Sequence, residues 1–182
     1  DLSEEEQDYI LEDVMSKVET EDEFSRFKED KEASFKLEEI KHTLKNTVSV
    51  IVNQVKHSYF EPEGFEVDFV DLKRDYDLSA LHFELDKGEM DLSGKIDRLD
   101  TYKTEDGKVY VKIVDYKSGN NSIDATNTLA GLDIQMYVYM DAALEYTEKK
   151  TGCPTTPAGL YYIHVTDDID SKAKEETALE DT

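Results

Sequence analysis

The chain has 182 residues, of which 44 are acidic and 21 are basic, and its formal net charge is −23 at pH 7. Because this charge repels polyanions, it excludes a DNA-binding protein that relies on a broad basic groove. The single cysteine, Cys153, excludes an intrachain disulfide and a self-contained cysteine site for zinc or an iron–sulfur cluster. The sequence has neither an apolar run that could span a bilayer nor a secretory signal, so we expect a cytoplasmic protein with no membrane contact.

Acidic residues are concentrated at the two ends of the chain. Residues 1–40 hold sixteen acids and five bases, and residues 166–182 hold seven acids and two bases. This distribution predicts an acidic helical segment over residues 1–32, a folded core over 33–166 and an acidic, disordered tail over 167–182. Because the chain begins with Asp1 and not with methionine, we expect it to be a piece of a longer protein.

Two helices are predicted in the first third of the chain. Ser3 and Glu6 have the spacing of a capping box, and apolar residues at helical spacing follow over residues 10–18. A similar apolar pattern predicts a second helix over residues 37–55.

The rest of the chain predicts a sheet with one long helix. Alternating apolar residues predict strands over residues 65–69, 81–85, 90–103 and 108–117. Apolar residues between 129 and 144 predict a helix that ends near Gly152, and the run 158–165 predicts a last strand. Since a strand, a long helix and a strand in succession favour a right-handed parallel crossover, the expected fold class is α/β, with a central mixed sheet flanked by helices.

The turn between the strands at 90–103 and 108–117 predicts their register. Asp106-Gly107 is a hairpin signal, and a three-residue loop that ends at this glycine pairs Thr104 with Lys108. The same register sets Asp97 directly opposite Asp115. A slip of one residue would send the two carboxylates to opposite faces of the sheet.

Lys117 is two residues beyond Asp115 and therefore points to the same face of the strand. Two opposed carboxylates repel each other, so the site requires compensation. A divalent cation that prefers oxygen ligands would supply it, and so would surface ion pairs with Lys117 and nearby bases. The hairpin alone favours neither alternative.

The spacing of these residues resembles the PD-(D/E)xK nucleases, in which an Asp on one strand precedes an Asp-x-Lys on the next. The resemblance extends to the RecB-type nuclease motifs and, within them, to the AddB (RexB) subunits of bacterial helicase–nucleases. It covers nearly the whole chain. The matching segments are Phe60-Glu61-Pro62, Glu66 with Phe69, Gly94 to Asp100, Val114 to Gly119, Gln135 to Tyr139, and Pro157 to Tyr162.

The resemblance implies a restriction-endonuclease-like core and a role for each matching residue. Asp97 and Asp115 would bind Mg²⁺ or Mn²⁺, which lowers the pKa of a water, and Lys117 would be the catalytic lysine. Gln135 and Tyr139 would support the site and contact the DNA strand; apart from the resemblance, they are interpreted as ordinary helix residues. Glu66 matches an acidic position near the site.

The resemblance also implies an exonuclease module for double-strand-break processing. In such a complex an ATP-driven AddA-type helicase–nuclease subunit would feed the DNA strand to it. Family members have a metal-shell histidine and a 4Fe-4S cluster. No histidine here has the corresponding context, and Cys153 matches none of the cluster cysteines. We therefore expect the cluster in the full-length parent but not in this piece, and weak cleavage by the piece alone.

Two other classes of function compete with a DNA-cleaving enzyme. One is a nuclease-like fold that serves as a scaffold or protein-interaction module without catalysis. The other is an acidic Ca²⁺-binding or partner-binding domain, which predicts carboxylates clustered in one loop of the D-x-D-x-D-G type. The sequence contains no such loop.

Overall fold

The computed structural model describes residues 2–20, 31–76, 78, 81–118 and 134–165. They fall into two compact units: the described residues up to 57, with Val165, form one, and the described residues between 58 and 164 form the other. The segment boundaries predicted from charge remain predictions. No helix in the described ranges is long and apolar enough to cross a membrane.

The first unit contains two helices, α1 (Glu4–Val18) and α2 (Lys31–Lys56). The predicted capping box begins α1: the Ser3 hydroxyl accepts a hydrogen bond from the Glu6 backbone N–H, and the Glu6 carboxylate accepts one from the Ser3 N–H. Ion pairs join the two helices, with Lys45 Nζ 2.6 Å from an Asp8 oxygen.

The second unit contains the sheet. Its elements in chain order are β1 (Glu61–Asp68), α3 (Phe69–Asp75), β2 (His82–Leu85), β3 (Gly88–Asp91), β4 (Lys95–Lys103), β5 (Val109–Lys117), α4 (Gln135–Thr151) and β6 (Thr155–His164). Four strands form one sheet in the order β1-β4-β5-β6, and β2 pairs with β3 in a separate hairpin. The β1–β4 and β4–β5 pairs are antiparallel and the β5–β6 pair is parallel, so the predicted mixed α/β sheet is confirmed.

The structure differs from the predicted elements at two places. The strand predicted over 90–103 is two strands, because its two ends pair with different partners. The β2–β3 pairing ends with the Leu92 N–H donating to the Leu81 carbonyl, and the β1–β4 pairing begins with the Phe69 N–H donating to the Gly94 carbonyl. Phe69 does not continue β1. It begins α3, because the Asp68 carboxylate caps the helix by accepting from the Val70 N–H at 2.7 Å. The predicted helix residues Leu129 and Leu132 lie outside the described residues.

The predicted hairpin register is confirmed. Gly107 has φ +86°, the left-handed conformation that the three-residue loop requires, and Thr104 N–H donates to the Lys108 carbonyl. The ladder then runs from Lys103↔Val109 to Arg98↔Val114 without a shift.

The core lies between one face of the sheet and α4. The β4 and β5 residues Leu99, Val111 and Ile113 have no exposed surface. On α4 the buried residues recur every three or four positions, which gives the helix an apolar face toward the sheet. They are Met136, Tyr139, Met140, Ala142, Ala143 and Thr147.

Gly94 is the point where α4 comes closest to the chain that enters β4. A Cβ atom at position 94 would lie 2.5 Å from the Tyr139 hydroxyl oxygen and 3.0 Å from two of its ring carbons. The Tyr139 ring is held from the other side by Phe69 in an edge-to-face contact, with ring centroids 4.9 Å apart. Glycine is therefore required here by space.

We expect Gly94→Ala to destabilise the protein by about 1–3 kcal/mol, because the added methyl group displaces a tyrosine that is packed on its far side. The measurement is thermal or urea unfolding, with Ser93→Ala, at the neighbouring exposed position, as the control. In the Tyr139→Phe background, Gly94→Ala should cost less stability, because the hydroxyl oxygen nearest to the added Cβ atom is absent. Equal stability of Gly94→Ala and the wild type would show that this contact relaxes without cost.

Candidate active site

The candidate site lies where β4 begins and β5 ends, at the same edge of the sheet. Their ladder stops at Arg98↔Val114, and the next step of the same register brings Asp97 opposite Asp115. Asp115 is 5% exposed, and it lies near the end of β5, whose inward residues Val111 and Ile113 are fully buried. The carboxylates therefore lie where an apolar strand face meets solvent.

Lys117 forms an ion pair with Asp115, with Nζ 2.6 Å from Oδ2. The Asp115 side chain is buried, while the Lys117 side chain is about a quarter exposed. The Asp115 carboxylate raises the pKa of Lys117, and burial opposes that effect. Lys117 therefore carries its positive charge at neutral pH.

Asp97 contacts the β5 backbone between these two residues. Its Oδ2 accepts a hydrogen bond from the Tyr116 N–H at 2.8 Å. This contact brings the Asp97 carboxylate to the residue that separates Asp115 from Lys117. Asp97 thus bonds the backbone of Tyr116, and the two neighbours of Tyr116, Asp115 and Lys117, form an ion pair. These contacts bring together the three residues predicted as the catalytic core.

Gln135 and Tyr139 form a pair on the first turns of α4. Gln135 Nε2 donates to the Tyr139 hydroxyl at 2.7 Å, and that hydroxyl lies against Gly94, three residues before Asp97. Gln135 is exposed and Tyr139 is buried. The pair connects α4 to the start of β4, and the support of the site and contact with DNA that the resemblance implies for these two residues stay predictions.

Glu66 lies on β1 between the paired residues Phe65 and Val67, and so opposite Asp97. Its φ of +50° is unusual for a residue other than glycine, although β1 continues through it to Asp68. The carboxylate is largely exposed and forms an ion pair with Lys95, at 3.1 Å. The structure thus places Glu66 across from Asp97 but pairs it with a lysine, and its role remains a prediction.

Tyr162 and His164 of β6 also border the site, and the sequence analysis assigned no site role to either. In the parallel pairing Tyr162 lies beside Asp115, and His164 lies beside Lys117. Lys117 Nζ is 5.6 Å from the centroid of the Tyr162 ring. Only the register between β5 and β6 reveals this proximity, because the two strands are far apart in the sequence.

A second group of polar residues was also missed, on the opposite face of β4 and β5. Arg98 and Asp100 are each 1% exposed, and the Arg98 guanidinium contacts both Asp100 and the Tyr116 hydroxyl. Lys112 completes the group, with Nζ 2.8 Å from Asp100. The hairpin register pairs Asp100 with Lys112, whereas the sequence carried no signal that Arg98 would be buried.

The residues at the site suit a hard divalent cation. Asp97 and Asp115 offer carboxylate oxygens, and one of these, Asp115 Oδ2, is buried beside the Lys117 ammonium. Mg²⁺ is commonly bound through one or two carboxylates together with substrate phosphates and water, so two protein ligands are sufficient. No cluster of three or more His, Cys, Asp or Glu side chains suited to a metal ion occurs in the described part of the chain.

Comparison with known proteins places this geometry in a family. The model of the PD-(D/E)XK nuclease superfamily matches residues 1–182. The ATP-dependent helicase/deoxyribonuclease of Ruminiclostridium cellulolyticum has a B subunit that is 37% identical over 129 residues, which are 70% of this chain and 11% of the relative. Its counterpart in Geobacillus thermodenitrificans is 38% identical over 138 residues, 73% of this chain and 12% of the relative.

A third relative of the same name, from Alkaliphilus oremlandii, is 32% identical over 168 residues, which are 92% of this chain and 14% of the relative. The chain thus spans a small part of the length of these relatives. They confirm the resemblance to AddB-type proteins, and the mixed sheet agrees with the family's fold. This chain belongs to the PD-(D/E)XK nuclease superfamily.

Proposed function

We propose that the chain carries the catalytic core of a metal-dependent deoxyribonuclease that hydrolyses DNA phosphodiester bonds. The observation that supports it most is the meeting of Asp97, Asp115 and Lys117 at one sheet edge in a member of a nuclease superfamily. The relatives are named as deoxyribonucleases, which supports DNA as the substrate.

Asp97 and Asp115 would hold the ion, Mg²⁺ or Mn²⁺, and Lys117 would act as a cation. A bound ion of this kind lowers the pKa of a water and so supplies the nucleophile. Lys117, 28% exposed in its side chain, extends from the buried Asp115 toward solvent, where its ammonium would offset charge that develops on the phosphate. Gln135 and Tyr139 would hold α4 against the entry to β4 and meet the DNA strand.

The net charge of −23 supports delivery of the strand by a partner. Since the relatives are named as components of a helicase/deoxyribonuclease, we propose that the longer protein works with an ATP-driven AddA-type protein in double-strand-break processing. The 4Fe-4S cluster of the parent stays part of this proposal and involves no described residue of this chain.

The metal site is tested by Asp115→Asn. We expect loss of Mn²⁺ binding in calorimetry and loss of Mg²⁺-dependent cleavage of single-stranded DNA, because a neutral amide is a poor ligand for a hard cation. The melting temperature without metal is expected not to fall, since the substitution relieves repulsion from Asp97 and Lys117 remains partly solvated.

Asp141→Asn is the matched control, because it removes one carboxylate from an exposed position on α4. Excess EDTA should stop wild-type cleavage completely. If Asp115→Asn binds Mn²⁺ as the wild type does, the proposed ligand is wrong. If the wild type binds metal but neither it nor a complex with its partner cleaves DNA, the result would support the alternative of a nuclease-like scaffold without catalysis.

The role of Lys117 is tested by Lys117→Gln. We expect the cleavage rate to fall by about 10²–10³-fold, the usual loss when one charge-stabilising donor is removed. Metal binding is expected to be equal or tighter, since the ammonium no longer competes with the cation for Asp115 Oδ2. Lys149→Gln on α4 removes the same charge away from the site and serves as the control. Parallel loss of metal binding would contradict a purely electrostatic role for Lys117.

Exonuclease activity is a separate part of the proposal. Linear single-stranded DNA labelled at one end is expected to be degraded, whereas a circular strand of the same sequence stays intact. The measurement is gel analysis of both substrates at equal enzyme concentration. Cleavage of the circular strand would show endonuclease activity. That result would contradict the exonuclease proposal and leave the proposed metal site and the proposed role of Lys117 standing.

A further inference from the structure

The site lies on a seam between two pairs of strands. Backbone pairing of β4 with β1 continues to Lys95, and pairing of β5 with β6 continues to Lys117. Between β4 and β5, however, the ladder ends at Arg98↔Val114, before the predicted catalytic residues. At Asp97, β4 is therefore still paired with β1, and at Asp115, β5 is still paired with β6. The ladder between β4 and β5 no longer joins the two strands there.

Side chains bridge this seam at Tyr116. The Tyr116 N–H donates to Asp97 Oδ2 at 2.8 Å, and the Tyr116 hydroxyl accepts from Arg98 Nη1 at 3.0 Å. Asp97 and Arg98 are consecutive, and they project to opposite faces of β4. Two consecutive residues of β4 thus hold one residue of β5. Asp97 bonds the backbone N–H of Tyr116 on the face of the predicted catalytic residues, and Arg98 bonds the Tyr116 hydroxyl on the other face.

Arg98 is itself held in place. Its Nη2 donates to Asp100 Oδ2 at 3.0 Å, its Nε lies 2.9 Å from Asp100 Oδ1, and Lys112 Nζ contacts the same carboxylate at 2.8 Å. Burying a guanidinium and a carboxylate at 1% exposure has a large desolvation cost, so this pair is poorly explained by stability alone. A planar guanidinium that engages Asp100 and Tyr116 together has only one orientation available.

We propose that Arg98, anchored by Asp100, and Tyr116 are positioning residues for the metal site. By holding β5 to β4 beyond the end of the ladder, they set the separation of Asp97 and Asp115. This inference rests on the proposed function, because it concerns the two carboxylates assigned there to the ion. Groups that orient metal ligands commonly affect metal affinity by about 10- to 100-fold.

The test is Tyr116→Phe in the full 182-residue chain, with Mn²⁺ as the probe. The substitution removes one oxygen and leaves the ring in place. We expect Mn²⁺ affinity, measured by calorimetry, to fall about 10-fold or more. Without any metal, hydrogen exchange at the residue-116 amide is expected to accelerate, because its bond to Asp97 is no longer held in register. Tyr110→Phe makes the same change on the same face of β5, within the ladder, and is expected to alter neither property.

The outcomes separate this inference from the proposed function. If Asp115→Asn abolishes Mn²⁺ binding while Tyr116→Phe binds as the wild type does, the positioning role is overturned and the metal site stands. If the wild type and Asp115→Asn bind Mn²⁺ equally, both proposals fall. Should Tyr116→Phe not fold, Arg98→Lys keeps the charge beside Asp100 but lacks the fork that also reaches Tyr116. Wild-type affinity in that variant would equally overturn the inference.

Discussion

The turn at Gly107 fixes the pairing of β4 with β5, and both polar groups of the sheet depend on that pairing. A slip of one residue would exchange the two faces of one strand and leave Asp97 and Asp115 on opposite sides. The same slip would separate Asp100 from Lys112, which are 2.8 Å apart across the strands. Apolar packing reinforces the register, since Leu99 and Ile113 are paired and both fully buried.

Charge is balanced separately on the two faces of the hairpin. On the catalytic face, Lys117 offsets the buried Asp115 and a backbone N–H stabilises Asp97. On the other face, Asp100 lies between Arg98 and Lys112. The charged groups on the catalytic face border solvent, so their partners can be exchanged. The charged groups on the other face are buried and paired with one another, which suits a role in holding the two strands in position.

Helix α4 connects the site to the core. Tyr139 uses its ring to pack against Phe69 and its hydroxyl to accept from Gln135, so the same side chain packs in the core and contacts a residue proposed to support the site. The close approach of Tyr139 to Gly94 gives a physical reason for the glycine three residues before Asp97. The motif residues Gly94, Gln135 and Tyr139 thus form one junction between α4 and the start of β4.

The sequence by itself determined the capping box of α1, the mixed α/β class, the hairpin register and the meeting of Asp115 with Lys117, because each depends on short-range periodicity or on one turn. It did not determine the burial of Arg98, the helix that begins at Phe69, or the positions of Tyr162 and His164 beside the site. The helix at Phe69 depends on the Asp68 cap, which overrides strand alternation locally, whereas Tyr162 and His164 reach the site through the parallel pairing of β6 with β5, a contact between distant segments. Only the tertiary structure shows that the β4–β5 ladder ends before the carboxylates, because hydrogen bonds between strands have no signature in either strand alone.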